Sequence, residues 1–519
     1  MNTFLQFKNS CFATARIILM GALLSSGLSA RGQTANSLPL SGRLAGNGSV
    51  VSTQTAIPGT TTSVNTLNPS IQVQGPYAGS ANSSNKLPFS GKLSLREAIE
   101  RGMAYNLGAV GMSQAVRQSH GESRAARSAL LPNVNSYLTE VATQVDLRAL
   151  GVRFGSPVPG LTIPPVVGPF NYFDLRAGLS QTVADLTALN NYRAASENVR
   201  AAEFLFKDAR DLVVLAVGGA YLQVIAAQAR VESARAQLET ANALLQQASQ
   251  DRAAGLVAQI DVNRSQVETL TQEQRLVSLQ NDLAKQKINL ARLTGLPPSD
   301  AFELTDDIPF APAPAVSFED ALKQAFDQRS DLKAARAQVR AAERSSAAAR
   351  AERLPSLTFS ADYGVIGTNP AQSHGTFSIA GTLRIPIWQG GRTEGEIEQA
   401  DAALVQRQAE VEDTIGHIES EVRNAWLDLQ AASRQVEVAQ KNREVIGENL
   451  RLTRQSYAAG ITDNVEVVRS QDAVAAAELD YISSVFAHNV AKLSLARSIG
   501  GTAEKVGQFL KLGSSGGQH

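Results

Sequence analysis

Hydrophobic and polar positions along this chain follow two periods, and the switch between them occurs twice. Around 356–385 the period is two. Leu357, Phe359, Ala361 and Tyr363 alternate with Ser356, Thr358, Ser360 and Asp362. Phe377, Ile379, Gly381, Leu383 and Ile385 then alternate with Ser378, Ala380, Thr382 and Arg384. One apolar and one polar face per strand predicts a hairpin of amphipathic strands, joined by a loop over Ile366–Gly375. Phe173, Leu175, Ala177 and Leu179 repeat the second strand at an offset of 204. Asn133–Val141 is the expected fourth strand, its apolar face interrupted by Ser136 and Glu140, with a proline-rich loop, Arg148–Pro169, between the two.

After each hairpin the period becomes helical. Asp185–Arg252 and Thr393–Ala458 contain no proline and predict very long helices. Heptad spacing runs through Val231, Ala234, Leu238, Ala241, Leu245 and Ala248. Glycine turns follow, RAAGLVAQIDV around Gly255 and YAAGITDNVEV around Gly460. The chain then reverses into helices ending at Gly295 and Gly500, the first with Leu276, Leu279, Leu283, Leu290 and Leu293 on one seam. Ahead of each hairpin lie a short helix (Ser94–Tyr105, Ser317–Asp327) with serine as N-cap and an acidic residue three positions on. A helix of roughly 25 residues follows, stopped at Leu131-Pro132 and Leu354-Pro355.

The chain therefore contains itself twice. A constant offset of 223 aligns Ser94 with Ser317, Ala98 with Ala321 and Arg127 with Arg350. Further on, an offset of 205 aligns Tyr221 with Trp426, Gly255 with Gly460 and Gly295 with Gly500. Such a period is too long for a small-repeat solenoid and indicates a duplicated half-domain. The expected organisation is a signal peptide over 1–30, a disordered low-complexity leader over 31–90, a first repeat over 91–300, a linker over 301–315, a second repeat over 316–502 and a flexible tail over 503–519. A helix of roughly 65 residues spans about 100 Å. The two shorter helices of each copy sum to nearly that length, so each copy is expected to form a two-stranded rod with strands at one end.

Composition narrows the class. Net charge is zero across 519 residues, which gives no reason to expect a nucleic-acid partner. Lys8 and Arg16, the apolar Ile17–Leu24 and the small residues Ser26–Ala30 form a secretory signal pattern. The single cysteine, Cys11, precedes that apolar run, so neither disulfides nor a lipid anchor are expected of the mature chain. Between Arg43 and Lys86 no charged residue occurs, and the polar leader lacks the apolar surface to order itself. Five histidines without metal-ligand spacing, and no P-loop or GxSxG motif, argue against an enzyme or a cofactor.

Secreted strands of about ten residues with one apolar face fit a transmembrane β-barrel. Four strands cannot close, and open edges are not tolerated in lipid, so further copies are expected to complete the barrel. The expected fold is an α+β membrane protein: a long α-helical coiled-coil barrel with a transmembrane β-barrel shared between protomers, four strands each. A periplasmic adaptor or a structural coiled-coil protein of the cell envelope is the alternative. An adaptor would need compact β-rich domains flanking one hairpin, whereas two hairpins occur here.

Over Lys92–Gly501 the chain resembles the TolC-like outer membrane factor family. The resemblance is carried by the openings LSLREAI and VSFEDAL, the junctions LPNV, LPSL and IPIWQGGR, and the turn GLVAQIDV. It implies a homotrimer in outer membrane lipid, with a tunnel crossing the periplasm. It also implies a passive exit duct of a tripartite efflux or type I secretion system, docked to a periplasmic adaptor and an inner-membrane pump. The family closes its tunnel near the second glycine turn. Its two gate positions fall on Glu466 and Arg469, of which only the first keeps the acidic charge. Its tyrosine–aspartate latch maps to Tyr457 and Asp261, while the latch arginine is replaced by Thr462. On local chemistry alone, Asp261 and Glu466 are equally well solvated carboxylates at helix starts. The turns Ala254–Ile260 and Ala459–Val465, with Gly255, Leu256, Val257, Gly460 and Ile461, are the expected adaptor-docking surface.

Overall fold

A computed structural model describes residues 48–57, 66–81, 88–149, 151, 164–299, 301–306, 310–313 and 316–510. The expected signal, Cys11, the middle of the Arg148–Pro169 loop and residues 511–519 lie outside them.

The first repeat opens on β3 (Lys92–Leu93) and α1 (Leu95–Tyr105), whose N-cap Ser94 accepts from the Glu97 amide. α2 (Leu107–Ser128) leads into β4 (Asn133–Asp146) and β5 (Val166–Ala184). α3 (Leu186–Ala253) starts on the Asp185 side-chain cap, and α4 (Gln259–Thr294) returns to Gly295. The linker carries β6 (Glu303–Leu304), and the second repeat runs through α5 (Phe318–Gln328), α6 (Ser330–Ala351), β7 (Ser356–Gly367), β8 (Ser373–Arg384), α7 (Arg392–Ala458) and α8 (Asn464–Ile499). β3 and β6 pair in parallel, tying the linker to the start of the first repeat.

The helices form the expected rods. α3 packs along α2 and α4 of its own repeat and also along α6 of the other; α7 packs along α8 and α6. Along the α3 seam Val231, Ala234, Ala241 and Ala248 are buried. Small residues at these positions let the helices approach closely. Buried residues run continuously through the middle of α3, from Val213 to Val217 with Tyr221, and recur at the end of α8. In the second repeat Ala321, Leu332, Ile418, Val422 and Leu495 form one cluster. α3 contains a window apolar enough to cross a membrane, but 67% of that window is buried in the protomer, so helix packing accounts for it.

The strands form one antiparallel sheet in the order β4-β5-β7-β8. Both strands of the first repeat are longer than expected: β4 continues to Asp146 and β5 begins at Val166, inside the expected loop.

Two terminal expectations are corrected. The leader over 31–90 is not wholly structureless. β1 (Val50–Ile57) and β2 (Thr66–Val73) make an antiparallel hairpin, followed by a 3₁₀ turn at Gly75–Ala78. The hairpin orders because it borrows a core. It packs on α3 and α8, where Ile71 lies so close to Gly219 that a Cβ there would sit 1.9 Å from Ile71 Cδ1. Tyr77 is buried over Gly108, and its carbonyl accepts from Asn106 Nδ2 at 2.7 Å. The tail also starts later than 503. α9 (Thr502–Phe509) is capped by Asp211, which accepts from the Gly501 and Ala503 amides, and Phe509 enters the second-repeat core.

Candidate functional site

The sheet has two chemically opposite faces, and its register fixes both. Leu357 pairs with Leu383, Ala361 with Ile379 and Tyr363 with Phe377. Across the next seam Tyr363 pairs with Ala177 and Val365 with Leu175, and Leu175 pairs with Leu138. These residues share one side of the pleat. Val134, Leu138, Leu175, Tyr363, Phe377, Ile379 and Leu383 are all exposed in the protomer. Glu140, opposite Phe173, is the charge on this face that the sequence anticipates.

The other face carries a polar network that the sequence reading missed. Arg176 Nη1 donates to Asp362, Nη2 donates to Thr376 Oγ1 at 3.1 Å, and Nε lies 3.4 Å from Asp174 Oδ1. Alternation alone could have placed these residues on one face, but not in one another's reach.

At the far end of the rods the glycine turns are built alike. α3 ends at Ala253, and the Leu256 and Gly255 amides donate to the Asp251 and Arg252 carbonyls at 2.9 and 3.0 Å. After α7 the Ile461 and Gly460 amides donate to Ser456 and Tyr457, each at 2.9 Å. This paired bonding needs a left-handed residue after the cap, and Gly255 and Gly460 supply φ of 76° and 71°. Leu256 and Ile461 are 75% and 79% exposed, Ile260 is exposed and Val257 half-buried.

The expected gate residues lie beside these turns. Asp463 caps α8 by accepting from the Glu466 amide at 3.2 Å. Glu466 and Arg469 form an exposed ion pair at 3.6 Å, so the two gate positions neutralise each other within the protomer. Asp261 pairs with Arg264 at 3.5 Å. Burial, then the Asp251 and Asp261 carboxylates, push the Tyr457 phenol pKa up. The latch partners thus share one electrostatic neighbourhood, but no hydrogen bond joins them. The bond linking the repeats here comes from Asn464. Its Nδ2 donates to the Asp261 carbonyl at 3.3 Å and to Ser265 Oγ at 3.1 Å. Sequence reading offered no signal for this contact beyond an amide side chain at a helix start.

Long paired helices topped by a sheet with one apolar and one polar face define an outer-membrane channel protein class, and comparison with known proteins agrees. The profile described as "Outer membrane efflux protein" matches residues 110–296 and 321–501. The chain belongs to that family of outer membrane proteins. It is 26% identical over 326 residues to outer membrane protein OprJ of Pseudomonas aeruginosa, covering 60% of this chain and 65% of OprJ, just under two thirds of that relative's length. It is 25% identical to outer membrane protein TolC of Vibrio cholerae, covering 73% of this chain and 84% of TolC. The solved structure of the outer membrane protein VceC from Vibrio cholerae has the same fold, with a TM-score of 0.66 at 20% identity over 78% of this chain and 96% of that one. The Campylobacter jejuni CmeC outer membrane channel aligns over 90% of this chain and all of its own, at the same TM-score and 16% identity.

Proposed function

We propose that three copies of this chain form an outer membrane channel-tunnel, the passive exit duct of a tripartite efflux or type I secretion system. The observation that carries the reading is the sheet. Its apolar face is exposed and both edge strands, β4 and β8, have one unpaired side. Lipid covers the face, and neighbouring copies pair the edges, which makes a twelve-stranded barrel from four strands each.

The helices support the same assembly. Val438, Val445 and Leu452 make an exposed heptad stripe on α7, and Ile260, Val267, Leu270 and Val277 make another on α4. Each seam lacks a partner in the protomer, and in a closed ring each faces its neighbour. The rods then enclose a periplasmic tunnel. Leu256, Val257 and Ile461 on the glycine turns dock a periplasmic adaptor, which joins the duct to an inner-membrane pump. Glu466 and Arg469 line the closed tip, and Tyr457 beside Asp261, together with the Asn464 bonds to the Asp261 carbonyl and Ser265, holds it.

Membrane fractionation with unheated gel electrophoresis tests the assembly, and cross-linking between introduced cysteines at Val445 and Val267 tests its seams. A heat-sensitive trimer in the outer membrane is expected. A soluble monomer would sink the reading.

A further inference from the structure

We propose that one transverse row of the barrel wall, Tyr137–Arg176–Gly364–Thr376 with Asp174 and Asp362 beside it, sets the ion preference of the barrel. This rests on the channel reading above. The row is fixed by register. Tyr137 pairs with Arg176, Arg176 with Gly364, and Gly364 with Thr376, so the four side-chain positions run across β4, β5, β7 and β8 on the face opposite the apolar one.

Gly364 is what lets Arg176 lie along the row. A Cβ at Gly364 would come within 2.6 Å of the Leu175 carbonyl and 2.9 Å of Arg176 Cα. With that space empty, the guanidinium crosses β7, donates to Asp362 and reaches Thr376 Oγ1 on β8 at 3.1 Å. Nε faces Asp174 at 3.4 Å. The side chains of Arg176 and Asp174 are each 17% exposed and that of Asp362 is 28% exposed, so all three lie low against the wall and leave the bore open.

Two carboxylates against one guanidinium leave one negative charge per protomer at this level, and three around the ring. Arg384 is on the same face but eight residues along β8 from Thr376, about 27 Å at ~3.4 Å per residue. That exceeds the Debye length of about 8 Å at physiological salt, so Arg384 does not cancel the row. A fixed ring of like charge around a water-filled path raises the local concentration of the opposite ion. The row also braces the seam between the two repeats, because β5 belongs to the first and β7 to the second.

Bracing and selectivity separate in one experiment, reversal potential in planar bilayers under a KCl gradient. Asp174→Asn with Asp362→Asn turns the row from negative to positive, and Arg176→Gln makes it more negative. Both remove the brace. The preference should move toward anions in the first and toward cations in the second, each by about twofold or more, the effect of a unit charge some 10 Å away in water. Arg176→Lys keeps the charge and loses the fork, so it should lower the heat stability of the oligomer with the reversal potential unchanged. Shifts of the same sign, or none, in channels that conduct normally would overturn this proposal alone. Absence of any channel from the unmodified protein would overturn the duct reading with it.

Discussion

Two adjacent residues of β8 give a sharp test of the sheet's two faces. Ile379 and Ala380 lie at mid-strand, one pairing with Ala361 on the apolar side and the other with Ser360 on the polar side. Ile379 is 66% exposed in the protomer, and in the proposed barrel lipid would cover it. Arginine at Ile379 places a cation on the lipid face near the middle of the strand, at a cost of about 2–4 kcal/mol per protomer. Three symmetry-related copies bring the total to about 6–12 kcal/mol, comparable with the whole stability of an ordinary domain, about 5–15 kcal/mol. Arginine at Ala380 enters the water-filled bore, where a surface-type substitution costs within about 0.5 kcal/mol. Strand and added side chain are the same in both, and the difference in β-propensity between the isoleucine and the alanine replaced is within about 1 kcal/mol, below the cost of the lipid-facing charge. Outer-membrane yield and the heat-sensitive oligomer band are the readouts. Ile379→Arg should abolish both and Ala380→Arg should retain both. Equal tolerance of the two, or the reverse order, would refute the assignment of faces.

Three further outcomes are expected. Leu256→Asp should stop export while leaving outer-membrane level and oligomer intact, and normal export in that variant would place adaptor docking elsewhere. In bilayer recordings Glu466→Ala should weaken cation preference, Arg469→Ala should strengthen it by freeing Glu466 from its ion pair, and Tyr457→Phe with Asp261→Ala should raise conductance; no response at Glu466 would remove it from the pore. His488 is fully buried between Phe310 and Lys492 with neither ring nitrogen hydrogen-bonded, and burial, then Lys492, lower its pKa to about 4. The unfolded chain takes up that proton near pH 6.5 and the folded one does not, so stability falls as pH drops from about 6.5 towards 4. Heat-dissociation midpoints at pH 7 and pH 5 should differ in the parent and converge in His488→Leu.

What was legible in the sequence was what is decided locally. Ser94 and Ser317 cap their helices because the acceptor and the amide are three residues apart in any chain. Gly255, Gly295 and Gly460 end helices because a left-handed residue is cheapest as glycine. The period of two located the strands, since the apolar face needs no partner beyond lipid to declare itself. What was not legible depends on partners distant in sequence. The low-complexity leader reads as disordered until Gly219 on α3 makes room for Ile71, and α3 and α8 provide the surface that its own residues lack. α9 reads as tail until Asp211 caps it. Arg176 reads as a strand residue like any other until Gly364, on the other repeat, makes room. The resemblance supplied the residues of the tip without the bonds among them. It pointed to Tyr457 and Asp261, whereas the hydrogen bonds described between the repeats beside these turns are made by Asn464.

The duplication also shows where the two halves were free to diverge. The hydrogen bond that pins each repeat's opening to its long helix is kept. Tyr221 Oη donates to the Leu93 carbonyl at 3.0 Å, and at the equivalent positions Trp426 Nε1 donates to the Val316 carbonyl at 3.3 Å. A phenol and an indole exchange here because each is a flat apolar body with one donor at its tip. The junction between the short and middle helices is solved differently. Asn106 in the first repeat and Arg329 in the second are equivalent and both fully buried. Asn106 caps α2 through the Gly108 amide and binds the Tyr77 carbonyl, so the 3₁₀ turn that follows the N-terminal hairpin fills the space above it. Among the described residues no such segment precedes Arg329 within its repeat, and the longer side chain fills the space itself, pairing with Asp331 and Glu421 and reaching the Ser498 carbonyl. A buried guanidinium is tolerated only when so fully bonded. The N-terminal 3₁₀ turn and the Arg329 network are therefore two answers to one packing demand, the closing of the seam where short helix, middle helix and long helix meet.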